Sequence, residues 1–203
     1  MRRLFLASVL AAAPLVAQAP TDFTGPSPWP EIRRERITRL LPQAMREANV
    51  DAWVTFLREN ANDPLALHVG GENAGSPAAV LFVRNDNRLR SVMISGFGEA
   101  IALRELGLHD SVVVYDRNSS TALMDAVASR LRASGARRIA INSGGSENVT
   151  DGLSYTQRIA LERALGAEWA ARLVPSEELV ELWLQVKLPT EVEIMRRAAA
   201  LTA

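Results

Sequence analysis

The amino-acid sequence predicts an α/β domain in which a mixed β-sheet is flanked by helices on both faces. Short apolar runs typical of strands alternate with longer segments that repeat apolar residues at helical spacing. Three of the helical segments are followed by a glycine (Gly107, Gly135 and Gly166), a residue that commonly ends helices. This alternation favours a layered α/β core. A chain of 203 residues that is 48% hydrophobic is long enough to bury one.

Six strands are predicted from runs rich in β-branched and other apolar residues. They span residues 52–56, 78–83, 91–95, 112–115, 138–141 and 171–174. The turn-forming residues 85–87 are expected to join the second and third strands in a hairpin. The fourth strand is rich in valine, which predicts a buried position in the sheet. The long polar stretch 58–77 is expected to be a loop.

The predicted helices alternate with these strands. They span residues 31–48, 99–105, 119–134 and 156–165. One more helix is expected to begin with Ser176 as its N-cap. It places Leu179, Leu182, Trp183 and Val186 on one face, so Trp183 is expected to pack in the core or between domains.

Residues 1–19 are typical of a signal peptide. Two arginines precede an apolar run over 4–16, and the small residues at 17–19 form a cleavage pattern. That run is shorter than the roughly 20 residues a transmembrane helix needs. Residues 20–30, rich in proline, are predicted to be a linker. We therefore expect an exported protein, periplasmic or secreted, without a stable membrane span.

Composition and histidine spacing limit the chemistry that this chain can perform. Lysine plus arginine and aspartate plus glutamate number 23 each, which does not favour a nucleic-acid partner. The absence of cysteine excludes disulfides and a thiol nucleophile. The two histidines, His68 and His109, have no ligand-like partner at short spacing, and His109 is expected in a solvated or capping position. The histidine spacing therefore predicts no metal site in this chain.

The last residues predict the start of a helix that belongs to another domain. Pro189 interrupts the chain, and Thr190 with Glu193 three residues later forms a capping box. Apolar residues then recur at helical spacing up to the last residues, where no glycine or proline ends the helix. We expect residues 188–203 to open the first helix of a second domain that this sequence lacks.

The same segment matches a known pattern at several positions. These are Val186-Lys187, Pro189, Glu191-Val192-Glu193, Met195-Arg196 and Ala198-Ala199. In this order they resemble the interdomain linker of the creatinase, prolidase and Xaa-Pro aminopeptidase family. Leu184 and Leu188 stand where that family usually has arginine and serine, which leaves room for altered substrate choice.

The resemblance implies that residues 31–187 form the N-terminal α/β domain of a metallopeptidase. Its own C-terminal catalytic domain would hold two divalent metal ions through aspartates, a histidine and glutamates. This chain alone is then expected to contain no catalytic residue, metal ion or cofactor and to be inactive. It also implies a homo-oligomer in which the N-terminal domain leans over a neighbour's active site. Arg58, Asn60 and His68 are then candidates for contact with a peptide substrate or another subunit. The same residues are also explained as solvated turn residues.

Two other functions stay open. One is a freestanding periplasmic binding or assembly module. The other is a nucleotide-binding domain. Gly96 and Gly98 follow a strand and open a helix, and Asp116 comes later at a strand end, a pattern that resembles the dinucleotide-binding fingerprint. Ile101 in place of the third glycine, and Glu99 where phosphates would bind, argue against that alternative.

Overall fold

The computed structural model describes residues 25–60, 62–85, 88–116 and 118–202. These residues contain one six-stranded β-sheet with helices packed on it, which confirms the predicted α/β fold. The strands are β1 (Ala52–Leu57), β2 (Ala78–Asn85), β3 (Arg88–Ser95), β4 (Ser111–Val114), β5 (Ile139–Ile141) and β6 (Leu173–Pro175). The predicted signal peptide lies outside the described residues, as does most of the turn between β2 and β3.

The sheet is mixed, with the strand order β4-β3-β2-β1-β5-β6. β1 is antiparallel to β2 and parallel to β5, and Val54 lies opposite both Leu81 and Ile141. β2 and β3 form the predicted antiparallel hairpin, and β4 and β6 extend the two edges in parallel. The carboxyl ends of β1, β5 and β6 therefore meet at the same edge of the sheet.

The helices follow the predicted order, with two short additions, α3 and α7, over residues 66–69 and 167–170. They are α1 (Trp29–Glu35), α2 (Leu41–Glu47), α3 (Ala66–Val69), α4 (Ala100–Leu106), α5 (Ala122–Ser134), α6 (Tyr155–Leu165), α7 (Ala167–Ala170), α8 (Glu177–Gln185) and α9 (Pro189–Thr202). The segment predicted as one helix over 31–48 starts at Trp29 and contains a π-helical stretch, Arg36–Leu40, between α1 and α2. The short helix α3 lies inside the predicted loop.

Helices cover both faces of the sheet. On one face, α2 and α8 pack Leu41, Met45 and Trp183 against Trp53 and Phe82. All five side chains are at most 1% exposed. Trp53 stacks on Phe82 with ring centroids 5.4 Å apart and meets Trp183 edge-on at 5.5 Å. Each buried aromatic or aliphatic side chain of this kind contributes roughly 1.5–3 kcal/mol.

On the other face, α5 and α6 cover an aliphatic layer. Val127, Leu131 and Leu161 are fully buried against Leu81 and Ile94 of the sheet. Side chains alternate between the two faces along each strand, so neighbouring residues such as Trp53 and Val54 belong to different cores.

The two glycines after α3 are explained by their backbone and their close neighbours. Gly70 ends α3 with φ of 77°, in the left-handed region that glycine adopts readily. A Cβ on Gly71 would lie 2.2 Å from Leu57 Cδ1. Only glycine therefore lets the chain pass this close to the end of β1.

The prediction of a buried position for the valine-rich strand was wrong. β4 pairs with β3 alone and forms an edge of the sheet, where Val114 is 36% exposed. Valine favours strands in general and does not distinguish a central strand from an edge strand. Among the described residues, no helix is both long enough and apolar enough to cross a membrane.

Candidate functional site

A buried guanidinium joins three helical elements where α9 begins. Arg36, the first residue of the π-helical stretch, is 2% exposed. Its Nη1 donates to Glu191 Oε2 at 2.6 Å and to the Val186 carbonyl at 3.2 Å. Its Nη2 donates to the Trp183 carbonyl at 2.7 Å, and Trp183 Nε1 donates back to the Arg36 carbonyl at 3.1 Å. We call these contacts the Arg36 latch.

The end of α8 explains why a cation is held there. The last carbonyl groups of a helix have no partner within the helix and carry partial negative charge. Arg36 satisfies the carbonyls of Trp183 and Val186, and its Cζ lies 5.7 Å from the centroid of the Trp183 ring. The guanidinium thus closes the end of α8 and fixes residues 186–188, which we call the α8–α9 joint.

The start of α9 differs from the predicted capping box. The helix begins at Pro189, and Glu191 Oε2 accepts the backbone N–H of Leu188 at 2.8 Å. The predicted partner Glu193 is 61% exposed and faces Arg196. The prediction of a Thr190 cap was wrong by two residues, because proline is well suited to the first position of a helix. Glu191 therefore both caps α9 and binds Arg36.

His68 lies beside this latch and away from the other two predicted site residues. Its ring meets Trp29 edge-on at 5.3 Å and Trp183 at 5.9 Å. Its Nδ1 is buried and has no hydrogen-bond partner among the described residues. Burial, and next the positive charge of Arg36, hold the pKa of His68 below its ordinary value.

Arg58 and Asn60 line a separate polar groove of about 340 Å³. Asn62 shapes this groove, because its Oδ1 accepts the Arg58 N–H at 3.2 Å and its Nδ2 donates to the Gly71 carbonyl at 2.8 Å. Asn60 adopts a left-handed backbone with φ of 60°, as the turn prediction allows for asparagine. The structure therefore brings Arg58 and Asn60 together. Contact of either with a substrate stays a prediction.

An apolar cavity of about 270 Å³ shares the wall formed by residues 72–74 with the polar groove. Leu57, Met93 and Leu103 contribute to its lining. Glu99 also borders the cavity, and its Oε1 accepts the Ser76 hydroxyl at 3.0 Å. This carboxylate lies at the start of α4, where a nucleotide phosphate would need positive or neutral surroundings. The geometry thus gives the nucleotide-binding alternative no support.

A buried polar cluster at the carboxyl ends of β1, β5 and β6 was missed by the sequence analysis. Asn142 Oδ1 accepts Trp53 Nε1 at 2.9 Å and the Ser176 hydroxyl at 2.7 Å. Its Nδ2 donates to Asp63 Oδ2 at 2.9 Å. Ser176, predicted as the helix cap, makes no side-chain cap hydrogen bond. The cluster could have been found from one pattern, an asparagine placed directly after the buried strand β5.

Burial shifts the pKa of two further groups. It raises the pKa of Asp63, against the opposing effect of hydrogen bonds from Asn142 and Leu65. It lowers the pKa of His109 to about 4, and His109 Nε2 donates to the Val69 carbonyl at 3.0 Å. Of the two positions predicted for His109, the structure shows the capping one, because Val69 is the last residue of α3. The half-buried ring is not simply solvated, since it also lies against Phe82.

The described residues contain no group of three or more histidine, aspartate or glutamate side chains that could hold a metal ion. No family model matches the chain, and a search of curated proteins gives no match either. Comparison with solved structures, in contrast, gives several matches.

One match is an Xaa-Pro dipeptidase from Bacillus anthracis, with a TM-score of 0.51 and 18% identity over 83% of this chain and 39% of that protein. Another is an X-Pro aminopeptidase from Thermotoga maritima MSB8, with a TM-score of 0.53 and 16% identity over 74% of this chain and 38% of that protein. The chain has the fold of a domain of the Xaa-Pro peptidases. It spans less than two fifths of the length of these two proteins.

Proposed function

We propose that this chain is the N-terminal, non-catalytic domain of an exported Xaa-Pro aminopeptidase-like metallopeptidase. Its fold is found in an Xaa-Pro dipeptidase and an X-Pro aminopeptidase, both more than twice as long as the region matched. In this proposal α9 leads into the C-terminal catalytic domain, which holds two divalent metal ions. The signal peptide over residues 1–19 directs the protein to the periplasm or the exterior.

The way in which α9 leaves the domain carries this proposal. Leu188, just before the helix, is 2% exposed, whereas no residue described for α9 itself is buried. Met195 and Leu201 are 56% and 57% exposed. A helix that presents large apolar side chains to water is stabilised when another apolar surface covers them. We assign the surface that packs on these side chains to the catalytic domain.

The domain's own contribution lies in the polar groove and in subunit contacts. Arg58 and Asn60 face a groove into which a peptide backbone can donate and accept hydrogen bonds. In a homo-oligomer, this groove borders the substrate entrance of a neighbouring subunit. His68 is separated from the groove, so within this chain we retain only Arg58 and Asn60 as candidates for peptide contact.

The test is to read the gene beyond codon 203 and to assay the encoded protein on Xaa-Pro peptides with and without a chelator. We expect an open frame that supplies histidine, aspartate and glutamate ligands, and an activity that chelation removes. The chain ending at Ala203 should be inactive in the same assay. A stop codon after Ala203, or chelator-sensitive cleavage by this chain alone, would contradict the proposal.

A freestanding binding module is the second candidate, favoured by the polar groove and the apolar cavity that share one wall. Such a module would keep α9 free in the intact protein. Replacing both Met195 and Leu201 by glutamate separates the two functions. The double variant should destabilise a peptidase whose catalytic domain covers α9, and leave the stability of a freestanding module unchanged.

A further inference from the structure

The direction of α9 depends on very few contacts. Arg36 binds two carbonyls at the end of α8 and the carboxylate of Glu191 in the first turn of α9. Among the described residues, the buried one that adjoins the helix is Leu188, at the α8–α9 joint. Because no residue described for α9 is buried, we expect a change at the Arg36 latch to alter where the helix points.

His68 lies in surroundings that disfavour a positive charge. The charged groups acting on it come from each element packed around it: Arg33 from α1, Arg36 from the π-helical stretch, Lys187 from the joint and Glu191 from α9. Arg33 is itself paired with Glu72 at 2.7 Å. Three cations and one carboxylate therefore act on the imidazole.

Protonation would also give His68 a second N–H that needs an acceptor. Glu191 acts on His68 through its charge, and its Oε2 already accepts from Arg36 and from the Leu188 N–H. The neighbouring Trp29 and Trp183 rings stand roughly perpendicular to the imidazole, and an indole N–H donates but does not accept a hydrogen bond. A proton on His68 therefore shares the negative charge of Glu191 with Arg36 and adds repulsion between the two cations.

We propose that His68 is a proton-sensitive switch that loosens the Arg36 latch and frees α9 to change direction. The imidazole is neutral and the latch closed at neutral pH. As the pH falls below about 6.5, the ordinary range of histidine, a conformation that binds the proton more readily gains population. This inference concerns α9 of this chain alone. Its effect on an attached catalytic domain rests on the proposed function.

The absence of cysteine from the chain permits a direct measurement. Cysteines are placed at Ala133 in α5 and at Ala199 in α9, both exposed, and are spin-labelled. Pulsed electron paramagnetic resonance gives the distance distribution between them from pH 7.5 to pH 4.5. We expect one narrow distribution at pH 7.5 and a broadened or second one at low pH.

Three variants test the role of His68. His68→Phe should keep the narrow distribution across the range, because it cannot be protonated. His68→Arg carries a permanent charge and should broaden the distribution at pH 7.5. Arg36→Met should do the same by removing the latch, and circular dichroism checks that each variant is folded. Equal broadening of His68→Phe and the parent, or a parent distribution unchanged down to pH 4.5, would overturn the proposal.

Discussion

The two faces of the sheet bury different kinds of side chain. Under α5 and α6 the core is aliphatic, with Leu131 and Leu161 packed on the strands. Under α1, α2 and α8 it contains Trp53 and Trp183, and the same side of the molecule holds the buried guanidinium of Arg36. Aliphatic packing is sufficient to hold helices on a sheet, so the buried charge on the second face needs a separate explanation.

This difference indicates which face of the sheet fixes the direction of α9 and which stabilises the domain. Apolar contact is not directional, whereas hydrogen bonds to a guanidinium fix the groups that accept them. Burying Arg36 costs desolvation energy, and its three acceptors all lie in α8, the joint or α9. We interpret the aliphatic face as the part that stabilises the domain and the aromatic face as the part that orients α9.

The largest loss of stability is expected for Trp183→Ala. This change removes a side chain that is 1% exposed and that contacts Trp53, His68 and Arg36. Loss of a buried tryptophan costs about 4 kcal/mol of the free energy of unfolding. Urea denaturation measures this loss, and the spin-label distance should broaden as well. A loss below 1 kcal/mol would contradict the central position of Trp183 in this core.

Leu131→Ala is the matched change on the aliphatic face. It creates a cavity at a fully buried position and should lower the free energy of unfolding by about 3 kcal/mol. Because Leu131 lies across the sheet from the Arg36 latch, the spin-label distance at neutral pH should stay as it is in the parent. If this variant also redirected α9, the two faces would not have separate roles.

A smaller loss of stability is expected on acidification, because the pKa of His109 is lower in the folded chain than in the unfolded chain. Its pKa is about 4 in the folded chain and about 6.5 in the unfolded chain, so the unfolded chain takes up the proton first. The contribution of neutral His109 to the free energy of unfolding is complete above pH 6.5 and is lost as the pH falls towards 4. About 2 kcal/mol of it is lost between pH 7 and pH 5.

His109→Gln tests this, because glutamine can still donate an N–H to the Val69 carbonyl but does not titrate in this range. Its unfolding free energy should fall less between pH 7 and pH 5 than that of the parent. Urea denaturation at both pH values gives the comparison. Parallel losses in the two proteins would mean that His109 is not the group responsible.

The smallest loss of stability is expected for Glu162→Ala in α6. Glu162 pairs with Arg158 one turn earlier at 2.6 Å, and both side chains are about one third exposed. Such a pair on a helix surface contributes about 0.3–0.5 kcal/mol. The free energy of unfolding should change by no more than this, and the change should shrink at high salt. A larger loss would show that charge on the aliphatic side also matters for stability.

The sequence was sufficient to predict the six strands and the longer helices in order, because apolar spacing and glycine positions are local properties. The short helices α3 and α7 were not predicted. Trp183 was placed correctly in the core from its position on the apolar face of α8. The sequence did not reveal that β4 is an edge strand or that the His109 ring lies against Phe82, since both depend on which elements become neighbours.

The candidate site was harder to predict for the same reason. Arg36 meets Trp183 and Glu191 across a long separation in the chain, and nothing local marks an arginine in an amphipathic helix as buried. His68 was grouped with Arg58 and Asn60 because all three belong to one loop. The turn of α3 and the close approach of Gly71 to Leu57 direct His68 toward α8 instead.

The position of β1 has a consequence for the order in which this chain folds during synthesis. β1 can pair with β2 soon after both emerge from the ribosome, but its other edge waits for β5, which is synthesised much later. Until then the backbone N–H and C=O groups along that edge of β1 are unpaired and open to contact with other nascent chains. Protection of that edge by a chaperone is therefore most valuable between the synthesis of the β2–β3 hairpin and that of Ile141.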